Sequence, residues 1–212
     1  MPLIIGPGIT IGGGIYIGSD TGVTYATWDP SNNFNGSTLS EDNLTQLTYT
    51  GYTAGGGGNG ARGTIGKTTG KWYFEYTPTV NISSSQAMGV GITGNYSSSV
   101  SAFETGAQAF MWYFNGAGNI SATYENGTYT PTGSYAITTS DIGGIAFDLD
   151  GLTIKYYKNG TLITTSSLPS GQTWYPISAN GSTAGASYGV TANFGATSLT
   201  YPPAGYNAGV YT

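Results

Sequence analysis

Apolar and polar side chains alternate along most of this 212-residue chain, most sharply from Asp141 to Ile163, DIGGIAFDLDGLTIKYYKNGTLI. Two dipeptides there, Asp150-Gly151 and Asn159-Gly160, are favoured in two-residue type I′ hairpins, whose central residues both need positive φ. With Asp150 and Gly151 as the loop, Leu149 faces Leu152, Phe147 faces Ile154 and Ile145 faces Tyr156. These six apolar side chains then share one face. Asp148 with Thr153 and Ala146 with Lys155 take the other, as the period of two requires. Around the second turn Tyr156 meets Ile163 and extends the apolar face. The stretch is predicted to be a three-stranded antiparallel meander.

Similar patterns precede and follow it. VTYATW from Val23 is strand-like and is predicted to end at the turn starter Asp29-Pro30. LSEDNLTQLTYT alternates through Leu44, Leu47 and Tyr49, and GYTAGGGGNGARG, containing Gly55–Gly60, reads as a flexible surface loop. GKWYFEYTPTV predicts a strand with Trp72 and Phe74 on one face and Tyr73 and Glu75 on the other. AMGVGIT and AQAFMWYF predict two more strands, with turns at Asn115-Gly116 and Asn126-Gly127. SLPSG is a turn; WYPIS reads as an edge strand, because Pro176 has no N–H for a ladder. VTANFG and SLTY close the pattern, and no helix longer than a turn is expected.

Several of these segments carry a resemblance. IGGIAFDLDGLTIKYYKNG looks like the central signature of SPRY domains, and GKWYFEY, MGVGIT, WYPISA and TANFGATSLTYPPAGY stand in the family's order. The likeness runs from about Val23 to Tyr206. It implies a bent antiparallel β-sandwich of concanavalin-like form that binds other molecules through its loops and performs no chemistry. Within residues 23–206 nothing suggests a second domain, and residues 207–212 are expected to be a C-terminal tail.

Residues 1–22 stand apart. Their first eighteen, MPLIIGPGITIGGGIYIG, hold no charge, and ITIG recurs six residues later as IYIG. Two readings are open: a strand packed on its own domain, or an extended arm whose Leu3, Ile4, Ile5, Ile9, Ile11, Ile15 and Ile17 dock on a neighbouring subunit. The segment resembles the Gly/Ile-rich N-terminal arms of tailed-bacteriophage virion proteins. An arm repeating one contact about an axis would close a homo-oligomer, a trimer in the simplest case.

Composition narrows the function. Thirty-six glycines and 18 tyrosines suit a turn-rich all-β protein, and only 7% of residues are charged, against about 25% in ordinary domains. A surface of hydroxyls and amides suits a protein that sits in a large assembly or outside a cell; together with the arm's resemblance it implies location on a virion surface. Five scattered basic residues and a net charge of −5 argue against a nucleic-acid partner. No apolar run reaches the ~18 residues of a membrane helix, and the N-terminus lacks the basic region of a signal peptide.

The chain has no Cys and no His, which removes disulfides, thiol nucleophiles, the usual general base and the commonest metal ligand. Asp148, Asp150 and Gly151 look like a fragment of a calcium loop, but its distal bidentate Glu is missing; a turn explains them. No motif singles out a carboxylate pair for glycoside hydrolysis, and no helix follows the Gly-rich N-terminus to cradle a phosphate. No cofactor, metal or catalytic residue is therefore expected. Trp28, Trp72 and Trp174 read as core. Trp112, Tyr113, Tyr124, Tyr129 and Tyr135, interspersed with Asn115, Asn119 and Asn126, are candidates for a ligand surface, since aromatic and amide groups suit glycan or protein contacts. The expected function is a non-enzymatic virion protein, a capsid decoration or fibre subunit whose arm binds other virion proteins. The alternative is a receptor-binding module for host surface glycan. A third reading is a degradative depolymerase.

Overall fold

The computed structural model describes residues 22–34, 37–48, 59–80, 87–95, 106, 108–115, 120–180 and 188–212. The N-terminal residues Leu3 to Ile17 lie outside them. The strands are β1 (Trp28–Phe34), β2 (Ser37–Ser40), β3 (Thr45–Thr48), β4 (Asn59–Gly63) and β5 (Lys71–Pro78). β6 (Ala87–Thr93), β7 (Ala109–Asn115), β8 (Ile120–Glu125), β9 (Thr128–Gly133) and β10 (Gly143–Asp148) follow. β11 (Thr153–Lys158), β12 (Thr161–Ser167), β13 (Tyr175–Asn180), β14 (Tyr188–Asn193) and β15 (Asn207–Ala208) complete the set. One antiparallel sheet runs β1-β4-β13-β6-β7-β8-β9 and the other β12-β11-β10-β5-β14-β3-β2, with β15 parallel beside β5. The described residues contain no α-helix, and the all-β sandwich expectation holds.

The core lies between the sheets. Met88, Val90 and Ile92 of β6 and Phe110, Trp112 and Phe114 of β7 meet Phe74, Ile145, Phe147, Ile154 and Tyr156 of the opposite sheet. Each such side chain contributes roughly 1.5–3 kcal/mol on burial. Phe194 joins the layers, its ring 5.1 Å from Trp28 and 5.3 Å from Phe74. β10 is buried on both faces, which explains its paired glycines: a Cβ on Gly143 would lie 2.1 Å from Tyr76 Cζ, and one on Gly144 2.4 Å from the Tyr73 hydroxyl oxygen.

The meander forms in the expected register: Ile145 opposite Tyr156, Ala146 opposite Lys155, Phe147 opposite Ile154 and Asp148 opposite Thr153. Its first turn differs. The loop is Leu149 to Leu152, and the positive φ falls on Leu152 (52°), not on Asp150 and Gly151. The Asp148 carboxylate dictates this by accepting the N–H groups of Asp150 (3.1 Å) and Gly151 (2.7 Å). The turn also docks on Gly70, whose carbonyl accepts Leu149 N–H and whose N–H donates to Asp150 Oδ1. At the second turn Asn159 (φ 48°) and Gly160 (φ 78°) are both left-handed, as a type I′ turn needs. A bulge then intervenes, so that Tyr156 pairs with Thr164 rather than Ile163; Ile163 is the extra residue and still packs on the core.

Other expectations are corrected. β13, read as an edge, is interior between β4 and β6. Its Pro176 is tolerated because pairing with β4 begins only at Ile177, and Gly63 leaves it room, a Cβ there meeting Pro176 Cδ at 2.9 Å. The Gly-rich stretch yields a strand at Asn59–Gly63, where Gly60 packs so close to β13 that a Cβ would lie 2.1 Å from the Ser178 carbonyl oxygen; positions 55–58 lie outside the described residues. Strand β1 does not stop at Asp29-Pro30 but passes through them as a bulge, with Asp29 accepting the Ser31 N–H. LSEDNLTQLT divides into β2 and β3 around Glu41, Asp42 and Asn43, all with positive φ. Asn115 pairs with Ile120 at the strand end and Gly116 lies outside the described residues, whereas Asn126 (φ 48°) and Gly127 (φ 84°) do form the hairpin. SLTY is not a strand. Residues 207–212 are woven into the sandwich: Val210 is fully buried and bonded to Ala26 and Phe194, and Thr212 N–H donates to Thr24.

Candidate functional site

The five aromatic candidates divide by strand parity. Trp112 points inward from β7, is fully buried, and packs with its ring 4.4 Å from Phe114; it belongs to the core and cannot present itself to a ligand. Tyr113, one residue on, points outward. Because β7, β8 and β9 are hairpin-linked, Tyr113 pairs with Ala122 while Tyr124 pairs with Tyr129. The three rings meet edge to face, 5.0 Å from Tyr113 to Tyr124, 5.4 Å from Tyr124 to Tyr129 and 6.1 Å from Tyr113 to Tyr129. Exposure rises across the triangle from 9% at Tyr113 to 41% at Tyr129. Burial, then the neighbouring Tyr129, raises the Tyr124 pKa, so its hydroxyl stays protonated. Tyr135 packs over Gly133 at the end of β9 and is not part of the triangle. Asn119 lies outside the described residues.

The buried acids are spent on the fold. Glu75 projects from the outer face of β5, and its carboxylate accepts Thr200 N–H (2.8 Å), Tyr201 N–H (2.6 Å) and the Tyr73 hydroxyl (3.1 Å). Sequence reasoning does not single this acid out; a lone Glu inside the apolar run KWYFEY is the signal that could have. Asp148, the candidate calcium ligand, accepts the two turn amides and pairs with Lys71 Nζ at 2.9 Å. Burial pushes its pKa up, but the Gly151 N–H, Lys71 and the Asp150 N–H outweigh that, and the net shift is downward. Among the described residues no three His, Cys, Asp or Glu side chains are grouped so as to hold a metal.

Two further features flank β5. A cleft of about 280 Å³ opens beside Glu75, lined by Leu44, Thr77, Ile142, Thr191, Asn193 and Thr200; the Thr191 hydroxyl is already bonded to Thr45 at 2.7 Å. At the strand's start Trp72 is half-buried rather than core. Lys67 Nζ lies 3.9 Å from its ring centroid and bonds the Tyr211 carbonyl, and the Tyr211 ring is 5.3 Å from Trp72. That cation–π contact, with the edge-on ring beside it, pins the C-terminal segment. Trp28 and Trp174 are core, as expected.

A family model described as "SPRY domain" matches residues 71–197. No curated protein of similar sequence was found. Solved structures share the fold: the PSpry domain of TRIM65 (14% identity, TM-score 0.57) covers 80% of this chain and 92% of its own. The SPRY domain of human HERC1 (16% identity, TM-score 0.57) covers 78% and 96%. The stonustoxin structure (16% identity, TM-score 0.56) covers 80% of this chain, which spans only 27% of that one.

Proposed function

The chain belongs to the SPRY family, and from that premise we propose that it is a non-catalytic binding subunit of a tailed-bacteriophage virion, a capsid decoration or fibre protein. The observation that carries the binding reading is the contrast just described: the buried carboxylates Glu75 and Asp148 are saturated by the fold, while tyrosine faces stand at the surface. The particle reading rests on the sequence. Residues 1–18 offer seven large aliphatic side chains and no charge, and leaving such a segment exposed invites aggregation. Strand addition to a neighbouring subunit would bury it, with main-chain bonds for strength and alternate side chains for pockets. Repetition about an axis would give a homo-oligomer, a trimer in the simplest case. Deleting residues 1–18 should leave the sandwich folded and abolish oligomerisation and attachment to the particle. Sedimentation of the truncated protein as an assembled, particle-bound species would refute the arm.

A second reading is favoured by the tyrosine triangle. Tyr113, Tyr124 and Tyr129 give an uncharged, stepped aromatic surface of the kind that stacks on sugar rings, consistent with a receptor-binding module for host surface glycan. Saturable binding to a glycan array, lost in Tyr129→Ala, would support it; an array without binding, or binding indifferent to that change, would remove the triangle from consideration.

A further inference from the structure

The outer face of the second sheet holds another aromatic surface, built on different residues. Side-chain alternation places Tyr73, Ala146 and Lys155 in one row across β5, β10 and β11, and Glu75, Gly144 and Tyr157 in the next. Tyr73 is buried as the floor, its ring 6.3 Å from Tyr157 and edge-on to it. The loop after β14 closes over this floor because Glu75 holds the Tyr201 N–H at 2.6 Å. The Tyr201 ring consequently packs on Gly160 of the second meander turn, where a Cβ would lie 2.9 Å from its Cδ1, yet remains 41% exposed. Tyr206 completes the group, its ring centroid 5.8 Å from Lys155 Nζ.

Lys155 is the informative residue. The other four basic side chains are engaged: Arg62 with Asp29, Lys71 with Asp148, Lys158 with Asp141, and Lys67 with the Tyr211 carbonyl and Trp72. Among the described residues Lys155 alone of these has neither a carboxylate nor a carbonyl partner. Lys155 is a half-buried residue whose ammonium lies toward the Tyr206 ring, an aromatic face that offsets part of a cation's desolvation and leaves it able to take an anion. Burial raises the pKa values of Tyr157 and Tyr206, so both remain hydroxyl donors at neutral pH.

We propose that Tyr157, Tyr201, Tyr206 and Lys155 form a binding surface for a carboxylate-bearing saccharide. The rings would stack on the C–H face of a pyranose, the phenols would donate to its hydroxyls, and the ammonium would make a charge-assisted bond to the sugar acid. A single cation beside aromatic rings complements one sugar acid, whereas an acidic peptide would call for several cations. The site rests on the reading of the chain as a binding subunit, and is independent of its N-terminal segment and of the Tyr113 triangle.

The test uses the full chain and calorimetric titration with galacturonate, glucuronate and sialyl oligosaccharides, their neutral methyl esters, and an oligoglutamate peptide. At least one acidic saccharide should bind, with its ester at least tenfold weaker. Lys155→Met and Tyr201→Ala should each weaken binding at least tenfold at unchanged thermal stability, while Tyr129→Ala leaves it intact. Binding by none of the acidic sugars, equal affinity for acid and ester, tighter binding of oligoglutamate, or loss in Tyr129→Ala in place of Tyr201→Ala would each overturn the proposal. Particle attachment, scored separately on the protein lacking residues 1–18, reports on the subunit reading alone.

Discussion

Glu75 offers the sharpest test of how the sandwich holds its outer surface. It is 3% exposed, and its two oxygens take the amides of Thr200 and Tyr201 and the hydroxyl of Tyr73. Hydrogen bonds to charged groups contribute about 1.5–3 kcal/mol each. Thr200 and Tyr201 lie on an exposed loop, so water can recover part of the loss when the acceptor is removed. The lower end of the range therefore applies to each of the three donors, and Glu75→Ala should cost ~4–5 kcal/mol. Glu75→Gln keeps one acceptor oxygen and the volume, but sets an amide donor against a backbone donor; it should cost ~1–2 kcal/mol. For a chain of this size each kcal/mol lowers Tm by about 2–4 °C. Urea denaturation should show both midpoints shifted at an unchanged slope, and hydrogen exchange should be accelerated at the amides of Thr200 and Tyr201. A Gln variant within about 0.5 kcal/mol of the parent, with those two amides exchanging at the original rate, would refute the idea that this carboxylate holds the loop. Equal losses in Ala and Gln would show that charge, not bond count, dominates.

The meander and its acids supply the remaining tests. Phe147→Ala, at a fully buried position facing Ile154 and Trp72, should cost ~3–5 kcal/mol, whereas Thr153→Ala on the outer face should cost far less; equal losses in chemical denaturation would contradict the face assignment. Asp148 and Asp141 both have lowered pKa values in the fold. For Asp141 burial opposes the shift, but bonds from Asn159, Thr138 and Lys158 prevail. A depressed carboxyl pKa contributes stability that is present above the unfolded value and is lost as pH falls through the folded one. Stability should therefore decline on acidification below the ordinary carboxylate range, and Asp148→Asn should flatten that decline in a pH series of urea melts. An unchanged acid limb would mean that these bonds are not kept in solution.

Much of the fold was legible in the sequence because strand faces are a local property. Alternation alone put Phe147 and Ile154 on the same face and Trp72 with Phe74 opposite Tyr73 and Glu75, and the Asn-Gly dipeptides specified two type I′ turns through the φ values their residues tolerate. The same rule could have separated Trp112 from Tyr113, since neighbours on a strand point oppositely. What alternation does not contain is which strands become neighbours. Pro176 reads as an edge signal, yet β13 is interior because β4 begins its pairing one residue later. A run of glycines reads as a loop, yet part of it is a strand because β13 packs too close for any Cβ at Gly60. Asp150-Gly151 was expected to set its own turn; the Asp148 carboxylate and Gly70, contributed by the adjacent strand start, set it instead. Likewise the approach of Tyr206 to Lys155, and of Tyr201 to β5 through Glu75, joins segments distant in sequence. Local sequence thus determined faces and several turns, while neighbours, registers at bulges and surface clusters were decided by long-range packing and by which buried polar group found a partner.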